Sequence, residues 1–210
     1  LAHRSKRLRE LEPESERETC SQSFHYFVDK YCLILSKSDD EAATDPDVSF
    51  QSWVRFRLWD RQITVADCLQ TSKLVVILKA RQLGMTWLCI CFALWLMLFR
   101  PIAIILLFSR RDDEACKLKK RLQDVYERLP EYLRPAAATA IVKDDAHEIT
   151  LSNGSSALAF PTTAGDSYTG DLALVDEADL CPDLGRLMRA VKPTIDGGGR
   201  MILLSRADKN

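Results

Sequence analysis

Histidine is scarce in this sequence. His3, His25 and His147 are the only three in 210 residues, each isolated along the chain, so a metal site built on histidine is not expected. The seven cysteines include no CxxC pair, and the closest two, Cys89 and Cys91, fall inside an apolar run. An odd, dispersed set reads as reduced core thiols rather than a disulfide or zinc framework. Charge of one sign is missing too. A formal net charge of −1 leaves any nucleic-acid binding to a clustered basic face. No signal-peptide h-region follows the charged start at Leu1. That start, and the stop at Asn210 just past an apolar strand and its loop, read as a fragment open at one or both ends. No internal repeat is present. The longest apolar run, "WLCICFALWLMLF" (Trp87 to Phe99), is shorter than the roughly 20 residues that cross a bilayer. Arg100-Pro101 then breaks any longer helix at its midpoint. A buried helix followed by a buried strand is the better reading, without a membrane.

What is there divides into two parts. Residues 1–49 are a lead-in: a basic start, an acidic stretch from Glu10 to Glu18, the amphipathic "FHYFVDKYCLIL", and the polar acidic linker "SKSDDEAATDPDVS". Residues 50–210 carry the domain. A helix is expected from Arg61. "KLVVIL" is a strand, 86–99 a helix, and "IAIILLF" (Ile102 to Phe108) a second strand. "SRRDDEACKLKKRLQDVYERLP" is a helix ended by Pro130, with Ser109 as expected N-cap and Asp112, Asp113 and Glu114 at its positive end. "EITLSNGSSALAF" contains Asn153-Gly154, a strong hairpin turn signal. "DLALVDEAD", a helix through Met188 to Val191, and the strand "RMILLS" complete the pattern. Short apolar strands alternating with helices predict a mostly parallel α/β sheet covered by helices.

The chemistry sits between the first strand and helix of that domain. "KARQLGMT" (79–86) resembles a phosphate loop, G-x-x-x-x-G-K-[ST], whose lysine slot holds Met85 and whose leading glycine slot holds Lys79. Backbone amides of Lys79, Ala80, Arg81, Gln82, Leu83, Gly84, Met85 and Thr86 can face a phosphate at a helix N-terminus. Thr86 offers a hydroxyl to Mg²⁺. The missing cation has two candidates within the loop, Lys79 and Arg81, and Arg81, whose guanidinium can bridge two phosphate oxygens, is the one expected nearer the γ-phosphate in a catalytic role. Downstream, the apolar strand "LALV" presents Asp176 and Glu177 at its end. In a P-loop ATPase the first acid of such a pair holds Mg²⁺ through water and the second activates the attacking water. Their order along the chain matches what such folds require. Gln62, with Trp59 or Phe56, is a candidate adenine reader. Ser205 ends the last strand, where it can sense the γ-phosphate. Asp39-Asp40 and Asp144-Asp145 read as solvated loop acids.

Taken together, "ILKARQLGMTW", "LLFSRRDDEA", "YERLP" and "LVDEAD" resemble, in that order, the large terminase subunit of tailed bacteriophages. The resemblance covers roughly residues 50–210. It implies a P-loop NTPase fold of the additional-strand type that uses ATP and Mg²⁺, with an early loop cation replacing the lysine. By resemblance, Asp176 and Glu177 are the Walker B pair and Ser205 couples hydrolysis to DNA movement. Implied partners are double-stranded DNA, the portal protein and procapsid, the small terminase subunit and a homo-oligomeric ring, a pentamer. The implied location is the host cytoplasm, transiently at the portal vertex. The sequence departs from the family's arginine-glycine pair before the Walker B strand, having "SYTGD" (Ser167 to Asp171). Arg110, Arg111 and Arg206 are therefore the candidates for an arginine finger. The family's nuclease domain would follow Asn210, so no nuclease residue is assigned. A helicase-like remodelling ATPase and a nucleotide-binding pseudo-ATPase scaffold are the alternatives.

Overall fold

A computed structural model describes residues 13–37, 51–134, 136–164 and 169–207. The acidic linker with Asp39-Asp40, and Ser167 and Tyr168 before the acid-bearing strand, lie outside the described residues. The first described element is helix α1 (13–22). It is followed by α2 (Phe24–Tyr31) and a two-stranded antiparallel ribbon of β1 (Leu33–Lys37) and β2 (Gln51–Arg55). The amphipathic run therefore splits. "FHYFVDKY" is helical, and "LIL" pairs with β2.

Helix α3 (Asp60–Thr71) leads into a seven-stranded sheet built from β3 (Leu74–Lys79), β4 (Ile104–Ser109), β5 (Ile141–Asp144), β6 (Glu148–Leu151), β7 (Ser156–Pro161), β8 (Leu172–Val175) and β9 (Arg200–Arg206). The spatial order is β3-β9-β8-β4-β7-β6-β5. The pairs from β3 through β7 are parallel, and β6 and β5 extend the sheet antiparallel. Strands β9 and β8 stand between β3 and its sequence successor β4, which is what an additional-strand P-loop sheet requires. Asn153-Gly154 turns the β6–β7 hairpin as expected, with Gly154 at φ 83° donating to Leu151 O.

Helix α4 (Met85–Phe99) is apolar on every side, and burial on every side is the consequence. From Leu88 to Leu98 it is fully enclosed. One face lies on the sheet, and α2, α3 and α5 (Asp112–Glu127) close over the others. Phe24, Phe27 and Val28 of α2 belong to this same core. Phe24 meets Phe92 edge-on at 5.1 Å, so the lead-in helix is structurally continuous with the sheet. The short α6 (Ala136–Thr139) leads into β5. Helix α7 (Leu184–Asp196) covers the opposite face of the sheet through Leu187 and Val191. No helix among the described residues is long and apolar enough to cross a membrane.

Three local expectations are corrected. Ser109 does not cap α5: it ends β4 and is buried, and Arg111 occupies the N-cap without a side-chain bond. Strand β4 starts at Ile104, not Ile102. Ile102 is an exposed turn residue at φ 62°, held by its amide to Asn153 O. Asp144 is not simply solvated: it pairs with Lys119, a lysine of α5 that is nearly fully buried, and accepts from Gln123 Nε2 at 2.8 Å.

Candidate active site

The parallel register aligns the C-terminal ends of four strands along one edge. Lys79 stands opposite Arg206, and Phe108 opposite Val175. Asp176, the residue after β8, donates its amide to Phe108 O at 2.9 Å. The 79–86 loop, Asp176-Glu177 and Ser205 are thereby brought to one place, as sequence order alone suggested.

The loop turns sharply into α4. Gln82 (φ 64°) and Gly84 (φ 67°) are both left-handed, and Gly84 is the helix N-cap, with no side chain to cover the orphan amides behind it. Those amides, with the helix dipole, form a cradle suited to an anion. Glycine is required at 84 for a second reason. A Cβ there would sit 2.9 Å from Gln62 Nε2 and 3.5 Å from Phe56.

Gln62 is buried, and both ends of its amide are engaged. Nε2 donates to Leu83 O at 3.0 Å, and Oε1 accepts from the Trp59 amide at 3.3 Å. The side chain thus ties the first turn of α3 to the loop, with one N–H of Nε2 and one lone pair of Oε1 left over. Of the two aromatic neighbours, Phe56 is buried and Trp59 is exposed. Only Trp59 has an open ring.

Met85, in the usual lysine slot, is a core residue, 5% exposed. Its side chain belongs to the packing under the helix, so no cation is called for there. Arg81 is exposed. Lys79 is half-buried and shares the β3 face of Ile77 and Val75, which pack toward α4. Its charge reaches the Cys89 thiol one turn into α4 and opposes the upward push from burial and from Asp176. Among the described residues neither Lys79 nor Arg81 forms an ion pair.

Asp176 is 8% exposed. Thr86, 90 residues earlier in the chain, places its hydroxyl 3.4 and 3.3 Å from the two Asp176 oxygens. Asp176 Oδ1 also accepts from the Glu177 amide at 3.1 Å, and among the described residues no lysine or arginine pairs with it. A buried carboxylate beside a hydroxyl, with no cation of its own, is an all-oxygen donor set suited to a hard dication such as Mg²⁺. Glu177 adopts φ 54°, ψ 46°, a left-handed conformation costing about 1–3 kcal/mol in a residue other than glycine. Of the three such residues among those described, Gln82, Ile102 and Glu177, two belong to this site.

One contact was not visible in the sequence. Asp179, three residues after Asp176, accepts from the Ser205 hydroxyl at 3.4 Å, the Arg206 amide at 3.0 Å and Arg206 Nε at 3.3 Å. Burial pushes its carboxyl up, but the bonds and charge of Arg206, with a backbone amide of its own, hold it below the usual range. Ser205 is therefore bound to the acid-bearing loop, and Arg206 is held there too. Of the other finger candidates, Arg111 pairs with Glu114 at 3.2 Å and Arg110 is exposed.

A parallel sheet whose edge strand runs through a left-handed loop into a buried helix, with acids two strands away, is the architecture of the additional-strand P-loop fold. Within it, solved structures of phage large terminases share this fold. The ATPase domain of the Thermus phage P74-26 large terminase, in a mutant form, superposes with a TM-score of 0.58 at 19% identity, covering 71% of this chain and 65% of that one. The bacteriophage HK97 large terminase gives 0.61 at 14% identity, over 88% of this chain and 37% of that one. A further large terminase, from a thermophilic bacteriophage, gives 0.51 at 12% identity, over 70% and 38%. The chain thus spans under two thirds of each of these proteins. No protein-family profile matches the sequence, and no curated protein does.

Proposed function

We propose that this chain is the ATP-hydrolysing part of a phage DNA-packaging motor. The observation that carries the proposal is the meeting of Thr86 and Asp176. It joins the phosphate-type loop to the acid pair at a position where neither signal alone would be specific.

The loop amides from Gln82 to Thr86 would bind the β- and γ-phosphates of ATP. Thr86 and Asp176 would hold Mg²⁺, which when bound neutralises charge gathering on the phosphate oxygens. Lys79 is better placed than Arg81 to supply the cation that Met85 cannot, because it is half-buried under the start of α4 while Arg81 faces solvent. Glu177 would orient the attacking water and take its proton. Asp179 would pass the state of the acid loop to Ser205 and Arg206 at the end of β9. Double-stranded DNA, the portal of a procapsid, a small terminase subunit and a pentameric ring of copies of this chain are the partners this reading calls for, in the host cytoplasm.

Mg²⁺-dependent ATP binding and turnover of three proteins test the proposal. Glu177→Gln should bind MgATP like wild type while turnover falls roughly 10²–10⁴-fold. Asp176→Asn should lose the Mg²⁺-dependent part of binding. Unchanged turnover in Glu177→Gln, or binding in which Mg²⁺ plays no part, would overturn it.

A further inference from the structure

We propose a second, independent metal site on the flank of the sheet, formed by Asp112, Cys116 and His147 and selective for Zn²⁺ or Co²⁺ over Mg²⁺. His147 is isolated in the sequence but not in space. Asp112 opens α5 and Cys116 lies one turn later on the same face, the i, i+4 spacing that lets two side chains share a ligand. His147 approaches them from the turn between β5 and β6. Its Nε2 lies 3.0 Å from each Asp112 oxygen. One ligand atom from each residue falls within 4.8 Å of the others.

That spacing is close to what coordination needs. Donor atoms bound to a tetrahedral ion at about 2.0–2.3 Å stand about 3.3–3.8 Å apart, so side-chain adjustment of about an ångström closes the set. The backbone need not move, because both supports are already fixed to each other. Lys119, less than one turn beyond Cys116, pairs with Asp144 and donates to Asp145 O at 2.7 Å. Asp145 Oδ1 accepts from the His147 and Glu148 amides at 2.9 and 2.8 Å. The carbonyl of His147 is held by the Ala159 amide at 2.7 Å. Ligands carried on a latched helix and a pinned turn are preorganised in the way a metal site requires.

Charge and softness select the ion. A carboxylate, a thiolate and a neutral imidazole carry two negative charges, which a divalent ion cancels. Thiolate and imidazole donors favour zinc or cobalt and disfavour magnesium. Three protein ligands leave a fourth position open to water on the exposed side. The neighbouring charges do not compete for the ligands. Asp113 is paired with Lys117 and Glu114 with Arg111.

An Asp112–His147 ion pair alone would explain two of the three residues, so Cys116 decides the matter. Tag-free, metal-stripped protein kept reduced with a phosphine would be titrated with Co²⁺, reading the thiolate-to-cobalt charge-transfer band, and then with competing Zn²⁺. The expected result is about one equivalent bound with a thiolate band. Cys116→Ser should abolish the band and weaken Zn²⁺ by about 100-fold or more, since even outer-shell changes cost 10–100-fold. His147→Ala should weaken it comparably, whereas Cys181→Ser should leave it intact. Zn²⁺ should raise the melting temperature of wild type and not of Cys116→Ser, whose metal-free melting should match wild type. No binding at 100 μM Zn²⁺ (about four decades weaker than 10 nM), or an undiminished band in Cys116→Ser, would overturn the proposal.

Discussion

Replacing Gly84 with alanine tests the loop at its tightest point. The residue is left-handed at φ 67°, which costs a residue with a Cβ about 1–2 kcal/mol. The new methyl would also stand 2.9 Å from Gln62 Nε2, too close to remain. Gln62 can swing aside, but only by breaking its bond to Leu83 O at 3.0 Å. Gln62 is 2% exposed, so a buried donor would be left unpaired, at about 1–3 kcal/mol. Gly84→Ala should therefore destabilise the chain by about 2–5 kcal/mol and weaken nucleotide binding through the displaced amides. The two contributions separate in a double-mutant cycle read by urea denaturation. In a Gln62→Ala background the clash and the broken bond are already gone, so Gly84→Ala should cost only the backbone part. The double variant should then be less destabilised than the sum of the singles by about 1–3 kcal/mol. Additivity within about 0.5 kcal/mol would show that Gln62 does not support the loop, and the reasoning would fail.

Three other outcomes are expected. Met85→Lys, which restores the usual P-loop lysine, places a charge at a 5% exposed core position. Calorimetry should show no gain in ATP affinity, and the melting temperature should fall; tighter binding with unchanged stability would refute the assignment of the cation to Lys79. Phe27→Ala, in the lead-in helix, should lower the stability of the whole domain by about 3–5 kcal/mol in a single transition, because Phe27 is fully buried in the main core. A separate early transition would mean that the lead-in folds by itself. The third concerns acid. Lys30, Tyr26 and Tyr31 donate to Glu16 and hold its carboxyl at about 2, against an ordinary 4.5. A depressed carboxyl contributes stability that is fully present above pH 4.5 and is lost as pH falls through 2. The urea midpoint of wild type should drop across that window relative to Glu16→Gln, and parallel curves would contradict it.

The architecture was legible because the signals for it are local. Six-residue apolar strands, a helix hydrophobic on all sides and an Asn153-Gly154 turn each have one economical arrangement, and the structure adopts it. The misread boundaries share a cause. Ser109 has the chemistry of an N-cap, yet the register with β7 carries the strand one residue further and buries the hydroxyl. Leu33 to Leu35 continue a helical spacing, but pairing with β2 outweighs it. Periodicity cannot reveal a partner that arrives from 20 residues away.

The candidate site was legible in its parts but not in its connections. Thr86, Asp176 and Glu177 could be named from motif order. That Asp179 binds Ser205 and Arg206, or that Gln62 holds Leu83, depends on which side chains a parallel sheet places side by side, and no spacing rule encodes that. The loop cation shows the limit most clearly. In sequence, Arg81 lies nearer the motif-like end of the loop and its guanidinium is the better phosphate fork. Strand alternation favours Lys79 instead in the proposed function: Ile77 faces the helix-covered side, and Lys79, two residues on, shares that face. On the proposed reading, position in the pleat favours Lys79 of β3 as the cation.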